Sequence, residues 1–318
     1  MKKMILDIDT GVDDAMALAY AAGTKEAELI GVVGTYGNVY TEQGVENVLN
    51  ILEMLGKTSV PVYLGAKHGM EKDSFDRLEV SAKIHGQNGV GEVDLTPAKR
   101  VKETQHGVDY IIEAVKQYGK DLVIVATGPM TNLGMALKKY PEMAKEVGQI
   151  VIMGGALTVP GNVSPFTEAN ISQDPEAAKL LFESGTPVIM VGLDVTMRSV
   201  LRLSDTDRWR KKGTIAGEKY ADIVDYYINI HDEIAPYLHG CPLHDPSAVA
   251  AAIHPEFFTM LPLFMTVETE GPSVGRTIGI ADKIREENPN VKVCINVDTN
   301  KVVNDMCQTL EALFTDSK

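Results

Sequence analysis

Short runs of consecutive apolar residues recur along the chain, at 4–6, 29–33, 60–64, 122–126, 150–153 and 188–191, and they are rich in Val, Ile and Leu. Runs of this length without polar alternation describe strands buried on both faces. Between them lie helical stretches, an alanine-rich one at 15–19 and amphipathic ones at 42–55, 107–117, 132–138 and 176–182. Strand alternating with helix implies right-handed crossovers and a mostly parallel sheet. Nearer the C-terminus, 264–268 and 277–280 flank Gly271-Pro272 as a hairpin, and 291–297 reads as a strand before a closing helix. The expected fold is α/β and Rossmann-like, with helices on both faces of the sheet and a C-terminal antiparallel extension. No repeat, linker or composition break divides the chain, so one domain over 1–318 is expected.

Composition narrows the partners. The chain has 318 residues, 44% hydrophobic and only 6% aromatic, enough for one large core. A formal net charge of −14 disfavours a nucleic-acid backbone or an anionic membrane and suits a small neutral ligand. Cys241, Cys294 and Cys307 have no metal-binding spacing, and an odd, sparse set suggests reduced thiols used for packing. Met1-Lys2-Lys3 leads directly into a strand that carries Asp7 and Asp9, unlike a secretory leader, and no apolar run reaches membrane-spanning length. A soluble cytoplasmic protein is expected.

The chemistry begins where the first strand meets its helix. Asp7, Asp9, Asp13 and Asp14 crowd into one turn, with Gly11 allowing the chain to reverse. Carboxylates so close repel one another unless a cation or a hydrogen-bond network holds them, and a hard divalent ion is the simplest remedy. Helix capping accounts for one or two of the four.

In a parallel α/β sheet, ligands bind beyond the carboxyl ends of the strands. Polar residues recur at those places: Asn38 after the second strand, Thr127 after 122–126, and Met153 with Gly154-Gly155 after 150–153. Asn162, Glu168 and Asn170 follow in a polar segment suited to sugar hydroxyls. Glu168 and Asn170 are spaced as on a strand and so are expected to face one way. Asp174 reads as an ordinary helix start. His244-Asp245-Pro246 opens a late helix, where Asp245 can complete an oxygen shell and His244 can donate a proton. His85 lies in a glycine-rich loop that can fold over a pocket; taken alone it reads as a surface-loop histidine.

The ordered set Asp7-Ile8-Asp9-Thr10-Gly11-Val12-Asp13-Asp14-Ala15, Gly37-Asn38, Thr127-Gly128-Pro129, Met153-Gly154-Gly155, Gly161-Asn162, Glu168-Ala169-Asn170 and His244-Asp245-Pro246 resembles the inosine-uridine preferring nucleoside hydrolases across nearly the whole chain. The resemblance implies hydrolysis of the N-glycosidic bond of ribonucleosides to free base and ribose, in nucleoside salvage, with one bound Ca2+. By the same resemblance, Asp9, Asp14, Asp245 and the Thr127 carbonyl hold the calcium, and Asp9 is the general base for water. Asp13, Asn38, Asn162, Glu168, Asn170 and Met153 bind the ribose, and His244 stands near the leaving base. His85 and Asp245 join the substrate-binding set. Tyr226, Tyr227, His231, Tyr237 and His239 fall in the region that borders the base pocket, and packing alone is an equal reading for the two tyrosines. A homodimer or homotetramer is implied.

The family often has an aromatic residue between the Glu and Asn where this chain has Ala169, which implies a looser pocket around the ribose hydroxymethyl group. Met197 follows Asp194-Val195-Thr196 and receives no role. Two alternatives remain at this point: a haloacid dehalogenase-like phosphohydrolase, suggested by Asp7-Ile8-Asp9 after a strand, and an inert nucleoside or ribose binder.

Overall fold

The computed structural model describes residues 1–316. Six strands, β1 (Lys2–Ile8), β2 (Ala27–Gly34), β3 (Val62–Leu64), β4 (Leu122–Ala126), β5 (Gln149–Met153) and β6 (Val188–Val191), run parallel in the order β3-β2-β1-β4-β5-β6. Val291–Val297 adds in parallel beside β6, and Phe258–Leu263 closes that edge antiparallel. The sheet is thus Rossmann-like, as its apolar runs predict. β1, β4, β5 and β6 are buried almost throughout, which is why they read as unbroken apolar segments.

Helices Val12–Gly23, Thr41–Met54, Ile215–Ile234, His244–Ile253 and Thr299–Asp316 build the core on one face of the sheet. Gly107–Tyr118, Thr131–Lys139 and Pro175–Glu183 build the other. The chain winds outward from β1 through β2 to β3, then returns to place β4 on the opposite side of β1. This reversal opens a crevice at the carboxyl ends of β1 and β4. Two further bonds extend the ladder there: Thr35 N–H donates to Ile8 O at 2.9 Å and Thr127 N–H to Asp7 O at 2.8 Å. Asp9 therefore emerges between two anchored neighbours.

The C-terminal hairpin forms, with Met265–Val267 pairing antiparallel to Thr277–Gly279. The run 60–64 yields only three strand residues, because Pro61 has no N–H for the ladder, although its carbonyl accepts Val32 N–H at 3.0 Å. The edge strand Phe258–Leu263 was not anticipated. Only Phe258 in it is buried and Pro262 interrupts its donors, so it lacks an interior strand's pattern. The three cysteines are free and buried. No helix among the described residues is long and apolar enough to cross a membrane.

Candidate active site

Around the crevice, the first turn of helix Val12–Gly23 presents Asp13 and Asp14, and the first turn of His244–Ile253 presents Asp245. Carboxylate oxygens of these three lie within 4.8 Å of one another, and all three residues are buried. Asp9 stands beside them, fully buried. Its Oδ2 accepts the Asn38 N–H at 2.7 Å, while Oδ1 has no partner. Asp13 Oδ1 is also buried and unpartnered.

Asp14 is the best satisfied of the four. Its Oδ2 accepts the Gly11 N–H at 2.8 Å and Asn38 Nδ2 at 3.2 Å, and its Oδ1 accepts the Thr127 hydroxyl at 2.7 Å. The capping explanation holds for this residue, and it leaves Asp9, Asp13 and Asp245 unexplained. Burial raises the pKa of each, and the neighbouring carboxylates raise those of Asp9, Asp13 and Asp245 further; Asp13 is pushed up to about 7. Among the described residues no lysine or arginine forms an ion pair with any of them. Four buried acids, two of them (Asp9 and Asp13) with an orphaned oxygen and none with a basic partner, fit a divalent cation, and an all-oxygen donor set selects a hard one.

Asp7 does not belong to this group. Its Oδ1 accepts Asn132 Nδ2 at 2.7 Å, and Asn132 Oδ1 accepts the Ala66 N–H at 2.8 Å, so the residue ties β1 to the segment after β3.

The opposite wall comes from the segments after β4 and β5. Glu168 and Asn170 are not on a strand: Ala169–Gln173 is a short helix with Glu168 as its N-cap. The Asn170 and Ile171 N–H groups donate to Glu168 at 2.9 and 3.2 Å, and Gly155 N–H donates to its Oε2 at 2.9 Å. An acidic cap at a helix start reproduces the spacing that resembled strand alternation. Asn170 nevertheless turns inward, donating through Nδ2 to Thr127 O at 2.6 Å and Met153 O at 3.0 Å. Burial raises the Glu168 pKa against the pull of these amides. Asn162 is exposed, with Oδ1 accepting the Ala169 N–H at 3.0 Å. Asp174 caps Pro175–Glu183, as expected of a helix start, and also accepts from Thr131 Oγ1 and Met70 N–H.

The histidines occupy a third side. His85 is not a surface-loop residue: it ends helix Glu79–His85 and is buried. Its Nδ1 accepts the Val12 N–H at 3.2 Å and lies 3.8 Å from Asp13 Oδ1. Burial, then Arg77, pushes its pKa down to about 3, so the ring is neutral with its proton on Nε2. Its ring stacks on Tyr227 at 5.5 Å, and Tyr227 meets His231 edge-on at 4.3 Å. The Tyr227 hydroxyl reaches Asp13 Oδ2 at 3.5 Å. Tyr227 therefore touches the carboxylate cluster and His231 packs against Tyr227, whereas Tyr226 bonds Lys83 O and Tyr237 is 72% exposed. His244 Nδ1 lies 2.8 Å from Thr196 Oγ1, and burial lowers its pKa too.

Nothing in the sequence pattern alone assigns a role to Asn132, Asp194 or Thr196. Asp194 and Thr196 follow β6 immediately, the same topological position as Asn38 and Thr127, and that position is their one sequence signal. Tyr227 and His231 are four apart on helix Ile215–Ile234, hidden by the ordinary amphipathic pattern of a packed helix.

A cluster of buried carboxylates at the switch point of a Rossmann-like sheet, with amides and histidines beside it, has the chemistry of a candidate α/β enzyme site for a polyhydroxylated ligand and a hard cation. The inosine-uridine preferring nucleoside hydrolase model matches residues 4–304, and the chain belongs to that family. Probable uridine nucleosidase 2 of Arabidopsis thaliana is 37% identical over 311 residues, covering 95% of each chain. Pyrimidine-specific ribonucleoside hydrolase RihA of Escherichia coli is 33% identical over 309 residues, covering 97% of this chain and 98% of the relative. Among solved structures, a purine-preferring ribonucleoside hydrolase from Gardnerella vaginalis superposes with a TM-score of 0.98 at 51% identity, covering 99% of both chains.

Proposed function

We propose that this protein is a divalent-cation-dependent ribonucleoside hydrolase that cleaves the N-glycosidic bond to free base and ribose, with purine ribonucleosides preferred. The hydrolase assignment follows from the family. The purine preference rests on the 51% identity to the Gardnerella vaginalis enzyme, against 37% and 33% to the two pyrimidine-directed relatives. The cation requirement is carried by one observation: buried Asp13, Asp14 and Asp245 converge within 4.8 Å beside Asp9, with no basic partner. Asp9, Asp14, Asp245 and the Thr127 carbonyl are the assigned ligands, and Ca2+ the assigned ion. The carbonyl can serve while accepting Asn170, having two lone pairs. When bound, the ion supplies a site that orients ribose hydroxyls and acidifies water.

Asp9 acts as general base. Its unpartnered Oδ1 can take a proton from the attacking water. As the glycosidic bond breaks, positive charge grows on the ribose, and Asp13 and Glu168 stabilise it electrostatically. Asn38, Asn162, Asn170 and Met153 seat the sugar. His244 faces the departing base. A phosphohydrolase reading has no support once the family is assigned, and a binder without turnover is the outcome that kinetics must exclude.

The working state is proposed to be a cytoplasmic homodimer or homotetramer of single-domain subunits, a point for light scattering. The functional test is free-base release from inosine, guanosine, adenosine, uridine and cytidine. Faster turnover of the first three supports the purine reading; faster uridine or cytidine turnover reverses it.

A further inference from the structure

Asp194 and Thr196 are buried polar residues on a single turn, Leu193–Thr196, immediately after β6. The turn is pinned to the loop that follows β5. Leu193 N–H donates to Gly155 O at 2.9 Å, and Asp194 accepts Leu157 N–H at 3.0 Å, Thr158 N–H at 2.7 Å and Thr158 Oγ1 at 2.6 Å. Gly155 in turn gives its own N–H to Glu168 Oε2. At the other end of the turn, Thr196 Oγ1 meets His244 Nδ1 at 2.8 Å. Among the described residues the Thr196 hydroxyl has no other partner, and His244 Nε2 has none at all. A buried hydroxyl costs free energy unless it is satisfied, and here the histidine alone satisfies it.

We infer that Thr196 is a positioning residue for the leaving-base half of the reaction, donating to His244 Nδ1, while Asp194 on the same turn holds the loop that seats Glu168 on the ribose half. A neutral imidazole carries one proton. With Nδ1 accepting from Thr196, that proton sits on Nε2, and both the tautomer and the ring orientation are fixed. Nε2–H can then donate to an acceptor atom of the base, and the bond strengthens as the base gains electron density. This inference rests on the proposed role of His244.

The test compares inosine with p-nitrophenyl ribofuranoside, whose leaving group departs without such help, in the metal-loaded enzyme. Thr196→Val is expected to lower kcat on inosine about tenfold, the worth of one hydrogen bond, and to change kcat on the aryl riboside by less than about twofold. Thr196→Ser is expected to restore most of the loss. Equal losses on both substrates, or no loss on inosine, overturns the role of Thr196. Asp194→Asn is expected to slow both substrates alike, and a loss confined to inosine overturns its assignment to the ribose half. His244→Ala, measured alongside, separates the two levels. If it slows inosine selectively and Thr196→Val does not, only the Thr196 inference falls; if it slows both substrates equally, the reading of His244 falls and takes the inference with it.

Discussion

The Asn38 N–H points at Asp9 Oδ2 over 2.7 Å, and the residue before it, Gly37, sits at φ +152° with its α-carbon against the same carboxylate. A β-carbon at Gly37 would overlap Asp9 Oδ2. The proposed general base is thus held by a backbone amide that only a glycine lets come so close. Gly37→Ala is expected to displace Asp9 and lower kcat at least about a hundredfold, the scale of a misplaced catalytic group. Steady-state kinetics with retained circular dichroism checks this; unaltered turnover means that the Asn38 contact does not position the base.

Asp9 and Asp14 are expected to fail in different ways. Asp9→Asn keeps an oxygen toward the cation and loses the base, so metal content should stay near one ion per chain while kcat falls by about a thousandfold. Asp14→Ala removes a carboxylate that also accepts from Gly11, Asn38 and Thr127, so bound metal and activity should be lost together. Elemental analysis beside kinetics distinguishes the two, and normal turnover in either variant contradicts the assignment.

Glu168 is both a cap and a charge. Glu168→Ala leaves the N–H groups of Gly155, Asn170 and Ile171 without their acceptor and is expected to cost ~2 kcal/mol of stability. Glu168→Gln keeps an acceptor oxygen and should melt near the parent, yet lose at least about tenfold in kcat because the charge beside the ribose is gone. Paired melting and kinetic measurements decide; a Gln variant with full activity removes the electrostatic role.

A cation that binds the folded site should stabilise the fold. At a hundred times its dissociation constant the gain is about 2.7 kcal/mol, or roughly 5 °C in Tm for a chain of this size. Chelation should lower Tm and Ca2+ should restore it. A melting curve indifferent to verified metal removal would mean that the carboxylates are held by other means.

Tyr20 supplies a contrast away from the site. Its hydroxyl donates to Asp305, joining helix Val12–Gly23 to the C-terminal helix. Tyr20→Phe is expected to cost ~1 kcal/mol and leave kcat unchanged; a kinetic defect would show that the helix bearing Asp13 and Asp14 depends on this clasp.

Much of this architecture was legible in the chain because parallel strands and their carboxyl-end loops write themselves plainly. β1, β4, β5 and β6 are buried on both faces, so each is an unbroken apolar run, and Asp9, Asn38, Thr127 and Met153 fall just beyond such runs or at the last residue of one. What escaped depends on distant packing. His85 becomes a site residue only because helix Glu79–His85 brings it to the Val12 N–H, 73 positions away in sequence. Glu168 and Asn170 lie at a helix cap, which has the same two-residue spacing as a strand. The edge strand Phe258–Leu263 exists through its pairing with Val291–Val297 rather than through its own pattern.

If the buried carboxylates at the crevice hold a divalent cation, cleavage of the N-glycosidic bond should depend on that ion. The most direct measurement is free-base release from ribonucleosides by chelated enzyme before and after stoichiometric Ca2+ is returned. No release is expected without metal, and stoichiometric base and ribose are expected once it is restored. Undiminished release by verified metal-free enzyme, or no release by enzyme with Ca2+ demonstrably bound, would contradict this expectation.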